Sequence, residues 1–368
     1  MKKFLALLLA ALLCCGLAAC AQTPQAEPAG SQAAPGEPAA AGGDFAVDVF
    51  IYNFADTYIA DVRDSMQTEF DALGIKATFY DAANNQGTQT NQIETAITKG
   101  SGMLIVNIVT TGSEEAAANI VNMAKEKDIP LVFFNREVSN EVVNSYDKCA
   151  FVGTDADEAG YMQGEMIAGI LSAAYETYDL NGDGKIQYIM FKGELGNAEA
   201  DGRTTYSVEE ANRLLAEEGY AGLAYYDPAN SDKFQACNWD SSLAQNAMAT
   251  ALGTNPFTGN APIELVIANC DDMATGAIEA LNEVGYNTGG EPMIPVVGVD
   301  ATAVARQAIQ DGKMNGTVLQ DAEGMAKCIC HLANNIKTGA GLMADTDSYI
   351  IDEAAAKFRI PYGIYSGQ

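Results

Sequence analysis

Between Asp179 and Gln187 the chain reads Asp-Leu-Asn-Gly-Asp-Gly-Lys-Ile-Gln, which sets oxygen-bearing side chains at the first, third, fifth and ninth places of a loop, with glycine at the sixth. Calcium is held in that pattern, and the seventh place contributes only its backbone carbonyl, so Lys185 is chemically acceptable there. The twelfth place is Met190, which cannot ligate. An EF-hand needs a bidentate carboxylate at that place, whereas here the chain runs into an apolar strand, Ile186 to Phe191. A cation held by Asp179, Asn181, Asp183, the Lys185 carbonyl and Gln187 therefore needs one more carboxylate from elsewhere. Without it the stretch is a polar turn.

Other chemistry stands at the ends of apolar runs, in Ile105-Val106-Asn107, Ile267-Ala268-Asn269-Cys270 and Gly298-Val299-Asp300. Open α/β sheets bind their ligands at such strand ends. Trp239 is the sole tryptophan, and an indole is either a flat platform for a ligand or a core filler. Asp56 and Asp300 could each cap a helix, and Arg203 could be a surface ion-pair partner. Catalytic chemistry is poorly served, and no enzyme is expected. The one histidine, His331, shares a helical run with Cys328 and Cys330, and neighbours two apart on a helix face different ways, so they cannot converge on a metal. Glu199 and Asp300 could imitate a glycosidase pair.

The elements that must position these residues follow an alternating pattern. Val47 to Tyr52 is β-branched and apolar, Ile59, Val62, Met66, Phe70 and Leu73 recur at helical spacing, and the same alternation continues to Leu131–Phe134. A second run includes Phe151-Val152, Ile186 to Phe191, a strand near Ala221 to Tyr226, Leu265 to Ala268 and Pro295 to Val299. Almost wholly apolar strands predict parallel sheets covered on both faces, and two runs predict two similar lobes sharing a cleft.

The N-terminus predicts export. Lys2 and Lys3 precede an apolar run, Phe4 to Leu13, too short for a permanent span, and Leu17-Ala18-Ala19-Cys20 closes it. Small residues ending at a Cys resemble the lipobox of bacterial lipoproteins, which implies a lipid anchor on Cys20. Residues 21–45 are mostly Ala, Pro, Gly, Gln and Glu and cannot bury a core, so they predict a flexible tether. About 320 residues remain, enough for two domains. With 49 acidic and 20 basic residues, net charge −29, nucleic acid is excluded as a partner, and no basic helix-turn-helix stands at the N-terminus as a transcriptional regulator would need. The cysteines beyond Cys20 show no disulfide framework.

The runs IYNFADTY, LIVNIV, IPLVFFNRE, SYDK, FVGTD, DLNGDGKIQ, FKGELGNAEADGRTTY, IELVIANCDD, VVGVDA and GTVLQDA resemble the periplasmic galactose/glucose-binding protein family, in one order from about Val47 to Tyr362. The resemblance implies a type I periplasmic-binding fold: two Rossmann-like lobes with parallel sheets, joined by three hinge crossovers and closing on one hexose. It places the lobes at 46–129 plus 320–358 and at 130–319 plus 359–368. It implies a monomeric, sugar-delivering partner of a membrane ABC permease, able also to serve a chemotaxis transducer, with galactose, glucose or methyl-galactoside as ligand. A pentose or another monosaccharide is the alternative.

The implied sugar contacts are Asp56, Tyr58, Asn107 and Gln320 from the first lobe, and Asn197, Glu199, Arg203, Trp239, Cys270 and Asp300 from the second. Trp239 and Tyr58 would sandwich the ring, Asp56 and Asp300 would accept from hydroxyls, and Arg203 would donate. Glu264 is the implied remote calcium ligand, completing a closed, structural site. The chain departs from the family at Tyr58 for Phe, Asn197 for His, Glu199 for Asp, and Cys270 and Gln320 for Asn, which predicts altered sugar selectivity.

Overall fold

Uninterrupted runs such as Leu-Val-Phe-Phe and Leu-Val-Ile-Ala can form strands only where helices shield both faces from water. A computed structural model describes residues 45–255 and 262–367; the export signal, Cys20 and the tether up to residue 44 lie outside the described residues. The chain begins with β1 (Ala46–Ile51), α1 (Thr57–Leu73), β2 (Lys76–Asp81), α2 (Gln86–Lys99), β3 (Met103–Val106), α3 (Glu114–Glu126), β4 (Leu131–Phe134), α4 (Asn140–Asn144) and β5 (Cys149–Gly153). It continues through α5 (Ala156–Ser172), α6 (Tyr175–Tyr178), β6 (Ile186–Lys192), α7 (Ala198–Glu217), β7 (Leu223–Tyr225), β8 (Gln235–Ala236), α8 (Ser241–Thr254), β9 (Leu265–Ala268) and α9 (Asp271–Glu283). Last come β10 (Val296–Asp300), α10 (Ala303–Gln310), β11 (Gly316–Gln320), α11 (Ala322–Thr338), β12 (Ile350–Ile351), β13 (Lys357–Arg359) and β14 (Tyr362–Tyr365).

Two sheets result, ordered β12-β13-β5-β4-β3-β1-β2 and β14-β11-β10-β9-β6-β7, with β8 beside β6. Pairing is parallel except for β12 with β13 and β14 with β11. Each lobe has its own core. Val49, Ile105, Val132 and Val152 are buried under α1 and α11 in the first, and Ile189, Val266, Val297 and Leu281 are buried in the second. Burying each such side chain contributes about 1.5–3 kcal/mol, so the strand ends that carry the polar residues are firmly placed.

The chain crosses between sheets after β5, after β11 and between β13 and β14, which is the type I periplasmic-binding architecture. Arg359 braces the crossovers, donating from Nη1 to the Thr154 carbonyl at 2.6 Å and pairing with Glu137 and Asp352 at 2.8 Å each.

The lobe boundary expected near residue 129 is corrected. β4 pairs with β3 through Leu104–Leu131, and β5 pairs with both β4 and β13, so residues 130–153, including Phe151 and Val152, belong to the first lobe. Alternation of strands and helices shows that a parallel strand exists but not which sheet supplies its ladder partner. Gln320 is corrected likewise: it is the last residue of β11 and pairs with Tyr362 in the second sheet.

Candidate functional site

A narrow cleft opens between the carboxyl ends of the two sheets. Tyr52, Asp56, Tyr58, Ile59, Asn135 and Arg136 line it from the first lobe, and Asn197, Glu199, Arg203, Trp239, Cys270, Asp272, Asp300 and Gln320 from the second. Each comes from a strand-to-helix junction or the first two turns of the helix that follows, Trp239 between β8 and α8 and Gln320 from the end of β11 ahead of α11.

The backbone aims three of these side chains by strain. Asn135, Trp239 and Asp300 have φ of 60°, 66° and 119°, a region that costs a residue with a Cβ about 1–3 kcal/mol and persists only where the surroundings fix it. The Trp239 ring lies flat on the backbone of Gly193, where an added Cβ would sit 2.4 Å from the indole.

Arg203, only 3% exposed, is the electrostatic centre. Its Nη1 donates to the Asn269 carbonyl at 2.8 Å, and its Nη2 to Glu199 at 3.1 Å, Gln320 Oε1 at 3.0 Å and the Tyr362 hydroxyl at 2.8 Å. These neighbours hold its charge more firmly despite burial, and the surface ion-pair reading of Arg203 does not apply. Asp300 accepts no hydrogen bond among the described residues; its nearest cation is Arg203 Nη1 at 3.9 Å. Burial, opposed by Arg203 and reinforced by Asp271, Asp56 and Asp272, pushes its carboxyl well above the usual range. It does not cap α10, because Thr302 does. Asp56 caps α1 through Ile59 N at 2.8 Å and also accepts from the Tyr52 hydroxyl.

Four buried N–H donors have no partner among the described residues: Nε of Arg136, Nε of Arg203, Nε1 of Trp239 and Nε2 of Gln320. All four residues line the cleft. A buried donor left unpaired costs about 1–3 kcal/mol, a cost that an acceptor reaching these groups would remove.

The structure brings nine of the ten sequence-expected contacts to the cleft lining; Asn107 stands behind it. Asn107 is fully buried, donates to the Phe134 carbonyl and to Asn135 Oδ1 at 3.1 Å each, and accepts from Tyr52 N. It positions the wall behind. Sequence reasoning missed Tyr52, Ile59, Asn135, Arg136 and Asp272. Asn135 and Arg136 directly follow the apolar run of β4, the same strand-end signal that drew notice to Asn107.

The Asp179–Gln187 loop lies in the second lobe ahead of β6. Asp179 accepts from the N–H groups of Asp183 and Gly184 at 3.1 and 2.8 Å, and Asp183 accepts from Gln187 Nε2 at 2.9 Å. Glu264, fully buried, reaches in to accept from Leu180 N at 2.6 Å and Gln187 N at 2.7 Å. Among the described residues no cluster of His, Cys, Asp or Glu alone could hold a metal; the donors gathered here mix carboxylates with amides. Burial raises the Glu264 carboxyl to about 7, and among the described residues no Lys or Arg pairs with it. A hard cation suits this donor chemistry. His331 Nε2 sits 3.2 Å from the Ala344 carbonyl, away from the cleft, and the five cysteines among the described residues are unpaired and buried.

The periplasmic binding protein domain family matches residues 45–341. The chain is 34% identical to the D-galactose/methyl-galactoside binding periplasmic protein of Haemophilus influenzae, over 87% of this chain and 88% of that one. It is 25% identical to the ribose import binding protein of Escherichia coli, over 72% and 75%. Among solved structures it resembles an ABC transporter solute-binding protein from Bacillus halodurans with bound myo-inositol, at 28% identity and TM-score 0.65, covering 88% of this chain and 95% of that one. These relatives are solute-binding proteins, and no helix among the described residues is long and apolar enough to cross a membrane. The chain belongs to the periplasmic binding protein domain family.

Proposed function

We propose that the cleft binds one monosaccharide, a hexose of the galactose or glucose type, and that the closed form presents it to an ABC importer. The observation that carries this reading is the mixed demand of the cleft: four unpartnered N–H donors beside a carboxylate, Asp300, that accepts nothing. A hydroxyl donates and accepts at once, so a polyol can answer both demands. A ligand with acceptors alone would leave Asp300 unmatched. The relative named for galactose and methyl-galactoside supports a hexose, and in this reading Trp239 and Tyr58 flank the sugar ring.

A receptor fits the geometry better than an enzyme. Glu199 is held by Thr154, Arg203 and Tyr362, which leaves it no proton-transfer role, and burial keeps the Cys270 thiol neutral. The cleft is tested by thermal melting against galactose, glucose, ribose, xylose and myo-inositol. The reading expects the largest rise with galactose or glucose; a larger rise with ribose or myo-inositol would move the assignment to that class, which the Cys270 position favours by offering a weaker partner than an amide.

Calcium in the loop is part of the same proposal, with Asp179, Asn181, Asp183, the Lys185 carbonyl, Gln187 and Glu264 as its ligands and a structural role. The ion would supply the positive charge that the buried Glu264 lacks. A lipid on Cys20 would hold the receptor at the outer face of the cell membrane, and mass spectrometry of the N-terminal peptide tests it. Service to a chemotaxis transducer, tested by sugar-dependent swimming responses, would use the same closed form.

A further inference from the structure

Glu194 lies between β6 and α7 of the second lobe, and Arg136 follows β4 of the first. Their side chains form an ion pair across the mouth of the cleft. Arg136 is 4% exposed. Its Nη2 also donates to the Val109 carbonyl at 2.9 Å, its guanidinium lies 4.2 Å from the centroid of the Tyr52 ring, and its Nε is without a partner. Glu194 keeps 34% of its side chain exposed.

The segment that carries Glu194 makes other approaches. Gly193 lies under the indole of Trp239, and the Gly196 carbonyl oxygen is 3.0 Å from where a Cβ on Gly112 of the first lobe would be. Across the same mouth, Thr57 Oγ1 donates to Asp272 Oδ2 at 2.7 Å. The Arg136–Glu194, Gly112–Gly196 and Thr57–Asp272 contacts join the two lobes, so hinge motion makes or breaks them and their energy enters the open–closed equilibrium.

We propose that Glu194 is a positioning residue for ligand capture: it draws Arg136 across the mouth, so that closing the lobes and presenting Arg136 Nε to the ligand become one event. This rests on the reading of the cleft as a sugar site. In the closed form without ligand, the attraction of Glu194 is opposed by the cost of a buried Nε that meets no acceptor. A ligand oxygen at Nε removes that cost, and the closed population rises.

The test uses Glu194→Gln and Glu194→Ala in the full mature protein, with D-galactose and D-glucose as probes in stopped-flow measurements, and small-angle X-ray scattering of the ligand-free protein. Truncating one partner of a charge pair acts mainly on dissociation, so Glu194→Ala is expected to dissociate about tenfold faster while association stays within about twofold. Wild-type dissociation should quicken with added salt, and that salt dependence should disappear in both variants. The ligand-free Glu194→Ala protein should show a larger radius of gyration than wild type. Equal dissociation rates and equal salt dependence in all three proteins would overturn the inference, as would an unchanged radius of gyration. Failure of wild type to bind either sugar would instead refute the sugar reading, with the scattering result still deciding the latch.

Discussion

The cleft and the Asp179–Gln187 loop are both polar sites, yet they are assembled in opposite ways. The loop takes five of its six proposed ligands from nine consecutive residues, and turn geometry alone holds them near one point; only Glu264 comes from far along the chain. The cleft takes its walls from seven strand-to-helix junctions spread over both lobes. A local site can therefore form with its lobe, whereas the cleft exists only when both lobes are folded and closed. The loop should govern stability and the cleft should govern binding, and each should be separable from the other.

The strongest way to break this contrast is to disarm the cleft. Asp300→Asn keeps the shape but replaces one acceptor oxygen with an NH2 donor, and Trp239→Ala removes the platform over Gly193. Each is expected to weaken sugar binding by about tenfold to a hundredfold, the equivalent of about 1–3 kcal/mol, with the calcium dependence of melting unchanged. Calorimetry on each variant checks this, and wild-type affinity in both would place the site elsewhere.

The converse is Glu264→Gln. Calcium binding favours the folded chain in proportion to its saturation, so wild type should melt lower with a chelator and recover with added calcium. The variant should lose that response while its sugar affinity stays within about threefold. A joint loss of both functions would show that the sites are one unit.

Acidity sharpens the loop side of the comparison further. The folded Glu264 carboxyl sits at about 7, above its usual 4.5, so between those values the calcium-free folded chain binds more protons than the unfolded chain. Its contribution to stability is present in full below about 4.5 and is lost as pH rises through about 7. The calcium-free protein should thus weaken from pH 5 to pH 8, and the stabilisation by calcium should grow over the same range, because ligation needs the carboxylate. Melting curves across pH with and without chelator report it; a flat response would remove Glu264 from the site. The smallest expected effect is from Cys270→Asn, which restores an amide at the cleft wall and should change the ratio of hexose to pentose affinity by about tenfold or less.

How much of this was legible in the sequence follows the same division. The near-continuous apolar runs of β3, β4, β9 and β10 announced parallel sheets, and the spacing from Asp179 to Gln187 announced the loop. Lobe membership of β4 and β5 was not legible, because the partner of a parallel strand leaves no mark in periodicity. In the cleft, Asp300 and Trp239 could be named, but their positive φ could not, since neither is glycine. The place of Asn107 behind the wall was not legible, because an amide at a strand end reads the same whether it faces the cleft or holds Asn135 and the Phe134 carbonyl. Arg136 carries the strand-end signal after β4, but its pairing with Glu194, 58 residues away on the other lobe, leaves no mark in the sequence.

The central claim is that two hinged halves enclose one small polyol against Asp300, Arg203 and the indole of Trp239. Titrating the mature protein by calorimetry with galactose and glucose, in parallel with Asp300→Asn, tests it most directly. The account predicts saturable binding of one sugar per chain in wild type and a strong loss in the variant. No heat with any monosaccharide, or equal affinity in the two proteins, would contradict it.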